Sequence, residues 1–247
     1  MKNTSIALLI CLALWFPAQA DALIISVHEE PDKNTYYNAG LCLDKYADAI
    51  GDRFYTYNTL PNGIELVANE PICIVGHGRA GSANGHTGAQ IGTLLETHVT
   101  PNGVHTIQLM PCNSGTVPEN GSSLVAGVVQ SLTDHGWQGT RVIGANGLCT
   151  PNRNLAHPFL KTVDTSPAQG DCSSDAIDAH VNSVSDQDAV SVQIAHCMTQ
   201  APLLAIANCM YNDAAIIDDY AADLEYSISH HCTFTDNNEA FTDSLVP

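Results

Sequence analysis

Apolar residues along this chain fall into short runs that alternate with segments of helical spacing. Residues 22–28, 72–75, 106–110 and 141–145 form four such runs, each rich in Ile, Val or Leu. Runs of this length, bounded by Gly, Pro or polar residues, read as buried strands. Between them the period changes. Residues 38–54 carry Ala39, Leu41, Leu43, Tyr46, Ala47 and Ile50. Residues 89–97 carry Ile91, Leu94 and Leu95, and residues 122–135 carry Leu124, Val125, Val128, Val129 and Leu132. Steps of three and four gather these side chains on one helix face. Strand and helix therefore alternate as far as residue 145, which predicts an α/β fold with a mostly parallel sheet and crossover helices.

Beyond that point the pattern weakens. Residues 146–188 hold Pro151, Pro158, Pro167 and Gly170 among many Ser and Asp, and read as one long loop. Residues 190–210 and 213–229 look helical, with Ala-rich and acidic faces, and residues 233–247 read as a loose tail. The first residues have a different character. Lys2, an apolar stretch over 6–15 and then Ala18-Gln19-Ala20 describe a secretory signal peptide. The stretch is shorter than the roughly 20 residues of a membrane span. The expected organisation is a signal peptide over 1–20, a core over 21–150, and a loop and helical part over 151–247 that completes the domain. The mature chain would start at Asp21 (or at residue 23, after the overlapping Ala20-Asp21-Ala22) and be secreted, extracellular or periplasmic.

Charge and cysteine content narrow the classes. Twenty-six Asp and Glu against eight Lys and Arg give a net charge of −18, and no Lys or Arg follows Lys161. Such a chain repels nucleic acid and anionic membranes, so neither is an expected partner. It suits a solvated acidic surface or a cationic partner. Nine cysteines include Cys11 in the leader, leaving eight in the exported chain, and oxidising compartments favour disulfides. Bridges are expected to staple the C-terminal third. If Cys112 is kept as a thiol, one more must stay unbridged. Cys73, inside an apolar strand, is the expected second, buried as a small hydrophobe. Six cysteines then make three bridges with fifteen possible pairings.

The candidate chemistry lies where two strands stop. Val75-Gly76-His77-Gly78 and Leu109-Met110-Pro111-Cys112-Asn113-Ser114-Gly115 each end an apolar run on a reactive side chain beside glycine. In parallel sheets function gathers at the carboxyl ends of strands, so adjacent strands would bring His77 and Cys112 to one rim. A thiolate is the reactive form of cysteine, and a nearby imidazole favours it. Cys112 would be the nucleophile and His77 the acid and base. The Gly78 and Cys112 amides are candidate oxyanion donors, with Gly78 allowing a close approach of substrate.

This order, strand-His-Gly, helix, strand-Cys, resembles the caspase-like clan (clan CD) of cysteine peptidases, and most closely the self-processing peptidases of large bacterial toxins. There apolar-Gly-His-Gly and apolar-Cys-Asn-Thr/Ser-Gly recur, followed by a helix and a strand end like Ala145-Asn146-Gly147. The likeness runs over residues 22–147. It implies a caspase-like three-layer sandwich and a Cys–His dyad hydrolysing peptide bonds in a protein or peptide, without cofactor or metal. Ser114, Ala145 and Asn146 would line the first specificity pocket. Pro111 departs from the small residue usual before the nucleophile. The basic cluster that binds inositol hexakisphosphate in the toxin domains has no counterpart, which speaks against such activation. The acidic balance suits a basic residue before the scissile bond.

Other readings stay open beside it. A serine hydrolase needs Gly-x-Ser-x-Gly, which is absent. Zinc has candidate ligands in His77, His86, His98, His105, Cys112 and the His230-His231-Cys232 triplet, but in no zinc-site spacing. Asp186, Asp188, Asp236 and Glu239 lack calcium-loop spacing. His86 is an alternative imidazole or a surface loop residue. A caspase-like fold serving as a non-catalytic binding module is the last alternative, with Cys112 in a disulfide as its diagnostic.

Overall fold

The apolar runs pair into one sheet. The computed structural model describes residues 22–46, 53–133, 135–147, 149–150, 161–163, 173–230, 233–234 and 241–247. In chain order the elements are β1 (Leu23–Ser26), α1 (Lys33–Tyr46), β2 (Phe54–Thr56), β3 (Ile64–Glu65) and β4 (Pro71–Val75). Next come β5 (Gly78–Arg79), β6 (Ser82–Ala83), β7 (His86–Thr87), α2 (Gly88–His98), β8 (Val99–Thr100), β9 (Thr106–Leu109), α3 (Leu124–Leu132) and β10 (Arg141–Ala145). The remainder is β11 (Cys149–Thr150), β12 (Lys161–Val163), α4 (Ser174–Val184), α5 (Gln187–Met198), α6 (Leu203–Asn212), α7 (Ala214–Ser229), β13 (Thr233–Phe234) and β14 (Phe241–Leu245).

The main sheet has six strands in the order β14-β10-β9-β4-β1-β2. All neighbours are parallel except β14, which runs antiparallel along β10. Alternation along each strand sends side chains to two faces. Leu23, Ile25, Ile72, Ile74, Ile107, Leu109 and Val142 pack with α2 and α3. Ile24, Cys73, Val75, Ile143 and Ala145 pack with α1, α6 and α7. The result is a three-layer α/β/α arrangement with seven helices among the described residues. Full burial of one such Leu or Ile contributes about 1.5–3 kcal/mol, so the two faces fix the strand register.

Several expectations need correction. The helix expected over 38–54 is α1, which begins earlier because Asp32 caps it: its Oδ1 accepts the Thr35 N–H at 2.8 Å. Phe54 belongs instead to β2, beside β1. The long loop expected over 146–188 contains β11, β12 and α4, the last started by Ser173, whose side chain accepts the Ala176 N–H. The single helix expected over 190–210 is two, α5 and α6, divided at Pro202 because proline removes a donor and clashes with the preceding turn. The expected loose tail carries β14, an edge strand whose Asp243 meets Arg141 across the pair. Among the described residues after 151, α6 lies against α1, and β14 closes one sheet edge.

Cysteine pairing differs too. Cys73 is not an unbridged hydrophobe; it forms a disulfide with Cys42, tying β4 to α1, and both are fully buried. Cys197 and Cys209 form a second bridge, joining α5 to α6. Cys11, Cys172 and Cys232, like the expected leader over 1–20, lie outside the described residues. No described helix is long and apolar enough to cross a membrane.

Candidate active site

Strands β4 and β9 pair in register, Ile74 opposite Leu109, and the Met110 N–H donates to the Ile74 carbonyl at 2.9 Å. His77 and Cys112 each follow within three residues of these strand ends, on the same edge of the sheet. The packing agrees. A Cβ added at Gly78 would stand 2.3 Å from the Cys112 carbonyl oxygen, 2.6 Å from Pro111 Cβ and 2.9 Å from the Cys112 nitrogen. Gly78 thus lies flat against the Cys112 backbone, and the two residues proposed as oxyanion donors are neighbours. Cys112 keeps its thiol, outside the two bridges among the described residues, at a partly exposed position.

The His77 ring makes a contact that the sequence reading missed. Its Nε2 lies 2.5 Å from Asp32 Oδ2. Burial pushes the Asp32 carboxyl up, but hydrogen bonds from His77 and Thr35 outweigh it and hold it far below the usual carboxylate range. The hydrogen bond to Asp32 raises the His77 pKa; burial opposes the rise, and the charges of Asp32 and Cys112 add to it. The imidazole is therefore coupled electrostatically to both neighbours. His28, at the end of β1, presents its ring edge-on to His77 at 6.3 Å. The signal for Asp32 was a helix cap: Asp three residues before Thr35, directly before a helix.

The wall beyond Cys112 is built from Asn113–Gly115. Asn113 takes a left-handed φ of 57°. Its N–H donates to the Gly147 carbonyl at 2.6 Å, and the Gly115 N–H to the Ala145 carbonyl at 2.7 Å. Ser114 is fully buried: its hydroxyl donates to the Leu109 carbonyl and accepts the Ala145 N–H, each at 3.0 Å. Ser114 and Ala145, expected to line a substrate pocket, have no exposed surface, and their polar groups bond within the wall: Ala145 N–H to the Ser114 hydroxyl, Gly115 N–H to the Ala145 carbonyl and Val125 N–H to the Ser114 carbonyl. They brace the wall. Asn146 is half-buried, and its Oδ1 accepts the Thr242 hydroxyl of β14 at 2.6 Å.

Two other candidate histidines, His86 and His105, lie apart from each other. His86 stacks on Tyr57 with ring centroids 4.0 Å apart. His105 is buried between the Glu70 carbonyl and the Asn102 N–H, at the opposite end of β9 from Cys112. No three His, Cys, Asp or Glu side chains converge on a metal-sized site among the described residues. No family model matches this sequence, and no curated protein does.

Proposed function

We propose that this chain is a secreted cysteine endopeptidase of caspase-like fold. One observation carries the reading: a thiol and an Asp-bonded imidazole on adjacent strand ends, with Gly78 pressed against the Cys112 backbone. Cys112 Sγ attacks the scissile carbonyl carbon while its proton passes to His77. The oxyanion that forms takes the Gly78 and Cys112 N–H groups. His77 returns the proton to the departing amine, leaving a thioester on Cys112. Water, losing a proton to His77, then hydrolyses the thioester and regenerates the thiol. Asp32 holds the ring and stabilises its charged form. No cofactor enters this chemistry, and the scarcity of Lys and Arg supports activation without inositol phosphate.

Two observations support a substrate with cationic side chains. The net charge is strongly negative. At the start of α1, Lys33 and Asn34 line a cavity of about 330 Å³ whose wall also carries Asp178, Asp219 and Asp223, with Lys33 paired to Asp219 at 2.7 Å. Such a wall favours cations over anions.

The test is mass spectrometry of the non-reduced protein after treatment with a peptidyl acyloxymethyl-ketone bearing Lys or Asp before the warhead. Labelling at Cys112 that prefers the Lys probe and vanishes in His77→Ala is expected. An inert Cys112, or one recovered in a disulfide, would refute the peptidase reading and leave the binding module.

A further inference from the structure

We propose that Asn84 is the positioning residue that holds His77 in its working orientation, an inference that rests on the peptidase reading of this site. The segment after His77 is a small three-stranded sheet, β5-β6-β7. Its second turn is two residues long. Ala83 pairs with His86, and Asn84 and Gly85 between them take φ of 45° and 85°. Two positive φ values in a two-residue hairpin define the tight turn that Asn-Gly favours.

The turn folds back onto the strand end. Asn84 Oδ1 accepts the His77 N–H at 2.8 Å, and the Asn84 N–H donates to the His77 carbonyl at 2.9 Å. One residue thus takes both backbone polar groups of the histidine. Space for the amide is made by Gly76, whose φ is 143°: a Cβ there would come within 2.6 Å of Asn84 Oδ1 and 2.8 Å of Val27 Cγ2. The two glycines around His77 therefore have separate causes. Gly76 admits Asn84, and Gly78 admits the backbone of Cys112.

Anchoring matters here because the imidazole itself is little enclosed. Its side chain is 54 % exposed, so few packing contacts fix where it points. With the backbone clamped by Asn84, the ring has one polar anchor, Asp32, and a fixed path to it. Removing the clamp frees the His77 peptide to rotate and lengthens the contact with Asp32. A misplacement of about 1 Å at a reacting group costs on the order of a hundredfold in rate, and losing one of two clamping bonds is a smaller disturbance.

Two variants separate positioning from turn formation. Asn84→Gly keeps the left-handed turn and the N–H to the His77 carbonyl but deletes the Oδ1 acceptor. Asn84→Asp keeps the acceptor. In the full chain, the His77 pKa is read by NMR titration, and the Cys112 alkylation rate with iodoacetamide is read against pH. Asn84→Gly is expected to lower the His77 pKa towards its ordinary value of about 6.5. It is also expected to slow alkylation about tenfold, with Asn84→Asp staying within twofold of the unmodified protein. An unmoved His77 titration in Asn84→Gly, or equal losses in both variants, overturns the proposal. If the unmodified protein shows no His77-dependent alkylation, the peptidase reading fails, whereas the titration still decides the role of Asn84.

Discussion

Replacing Gly78 by alanine tests the juxtaposition of the two strand ends most directly. The new methyl carbon would start 2.3 Å from the Cys112 carbonyl oxygen and 2.9 Å from the Cys112 nitrogen, with Pro111 Cβ at 2.6 Å. Comfortable contact needs about 3.5 Å, so the gap must open by about 1 Å. None of the three neighbours is the tip of a flexible side chain, and the strain falls on the β4 and β9 ends themselves. Overpacking of this kind costs about 1–3 kcal/mol. For a chain of this size each kcal/mol moves Tm by roughly 2–4 °C. The same displacement parts His77 from Cys112, and about 1 Å at a reacting centre costs on the order of a hundredfold. The assay pairs thermal unfolding with the second-order rate of Cys112 alkylation at neutral pH. Gly103→Ala serves as the control: Gly103, unlike Gly78, takes a positive φ, 92°, so alanine there strains the backbone, but its nearest neighbour would be 3.7 Å away and no strand end is pushed apart. The expected result is a Tm loss of several degrees in Gly78→Ala together with about a hundredfold slower alkylation, and an unchanged rate in the control. Alkylation in Gly78→Ala at the unmodified rate and with the same pH profile would show that the strand ends do not meet as described.

Asp32→Asn removes the carboxylate that raises the His77 pKa, so the imidazole should titrate lower, as read by NMR, and the pH profile of alkylation should move down with it. In the unmodified protein this pair contributes to stability over a defined range. The depressed Asp32 contribution is present above the unfolded value of about 3.9 and fades as pH falls through its folded value. The raised His77 contribution is full below about 6.5 and fades as pH rises through its folded value. Denaturant unfolding should therefore show the pair's effect greatest between about pH 4 and 6.5, and at under about 1 kcal/mol because both side chains are substantially exposed. Ser114→Ala leaves the buried Ala145 N–H without its acceptor and should cost about 1–3 kcal/mol by the same method; no loss would mean the hydroxyl bracket is dispensable. Replacing both Cys42 and Cys73 by alanine opens a crosslink spanning 31 residues and should cost about 2–4 kcal/mol.

How much of this was legible in the sequence follows the range of the interactions involved. The strand over 141–145 matches β10 residue for residue, and β4, β9, α2 and α3 lie within a few residues of their expected limits, because each is set by a local apolar period. Strand β14 was invisible. Its sequence, Phe-Thr-Asp-Ser-Leu, carries only two apolar residues, and it becomes a strand by pairing with β10 about a hundred residues earlier. The Cys42–Cys73 bridge was missed for a similar reason. An apolar strand makes a buried thiol plausible, but only the packing of α1 over β4 shows that a second cysteine lies opposite. The Asn84-Gly85 hairpin has a local dipeptide signal, but the sequence reading passed over it.

The site itself divides along the same line. His77 and Cys112 stand at strand ends, where a local pattern reaches. Asp32 does not, since it meets His77 across 45 positions and only because β1 and β4 are neighbours in the sheet. Its placement still has a local cause. An aspartate that caps α1 spends one oxygen, Oδ1, on the Thr35 N–H and leaves the other, Oδ2, facing the next strand end. The same capping bond adds to the lowering of the carboxyl pKa, behind the larger effect of the hydrogen bond from His77. Any parallel sheet that starts a helix on Asp beside a strand ending in His will tend to make this pair. Sequence reading can therefore look for the cap of the preceding helix whenever it finds a strand-end histidine.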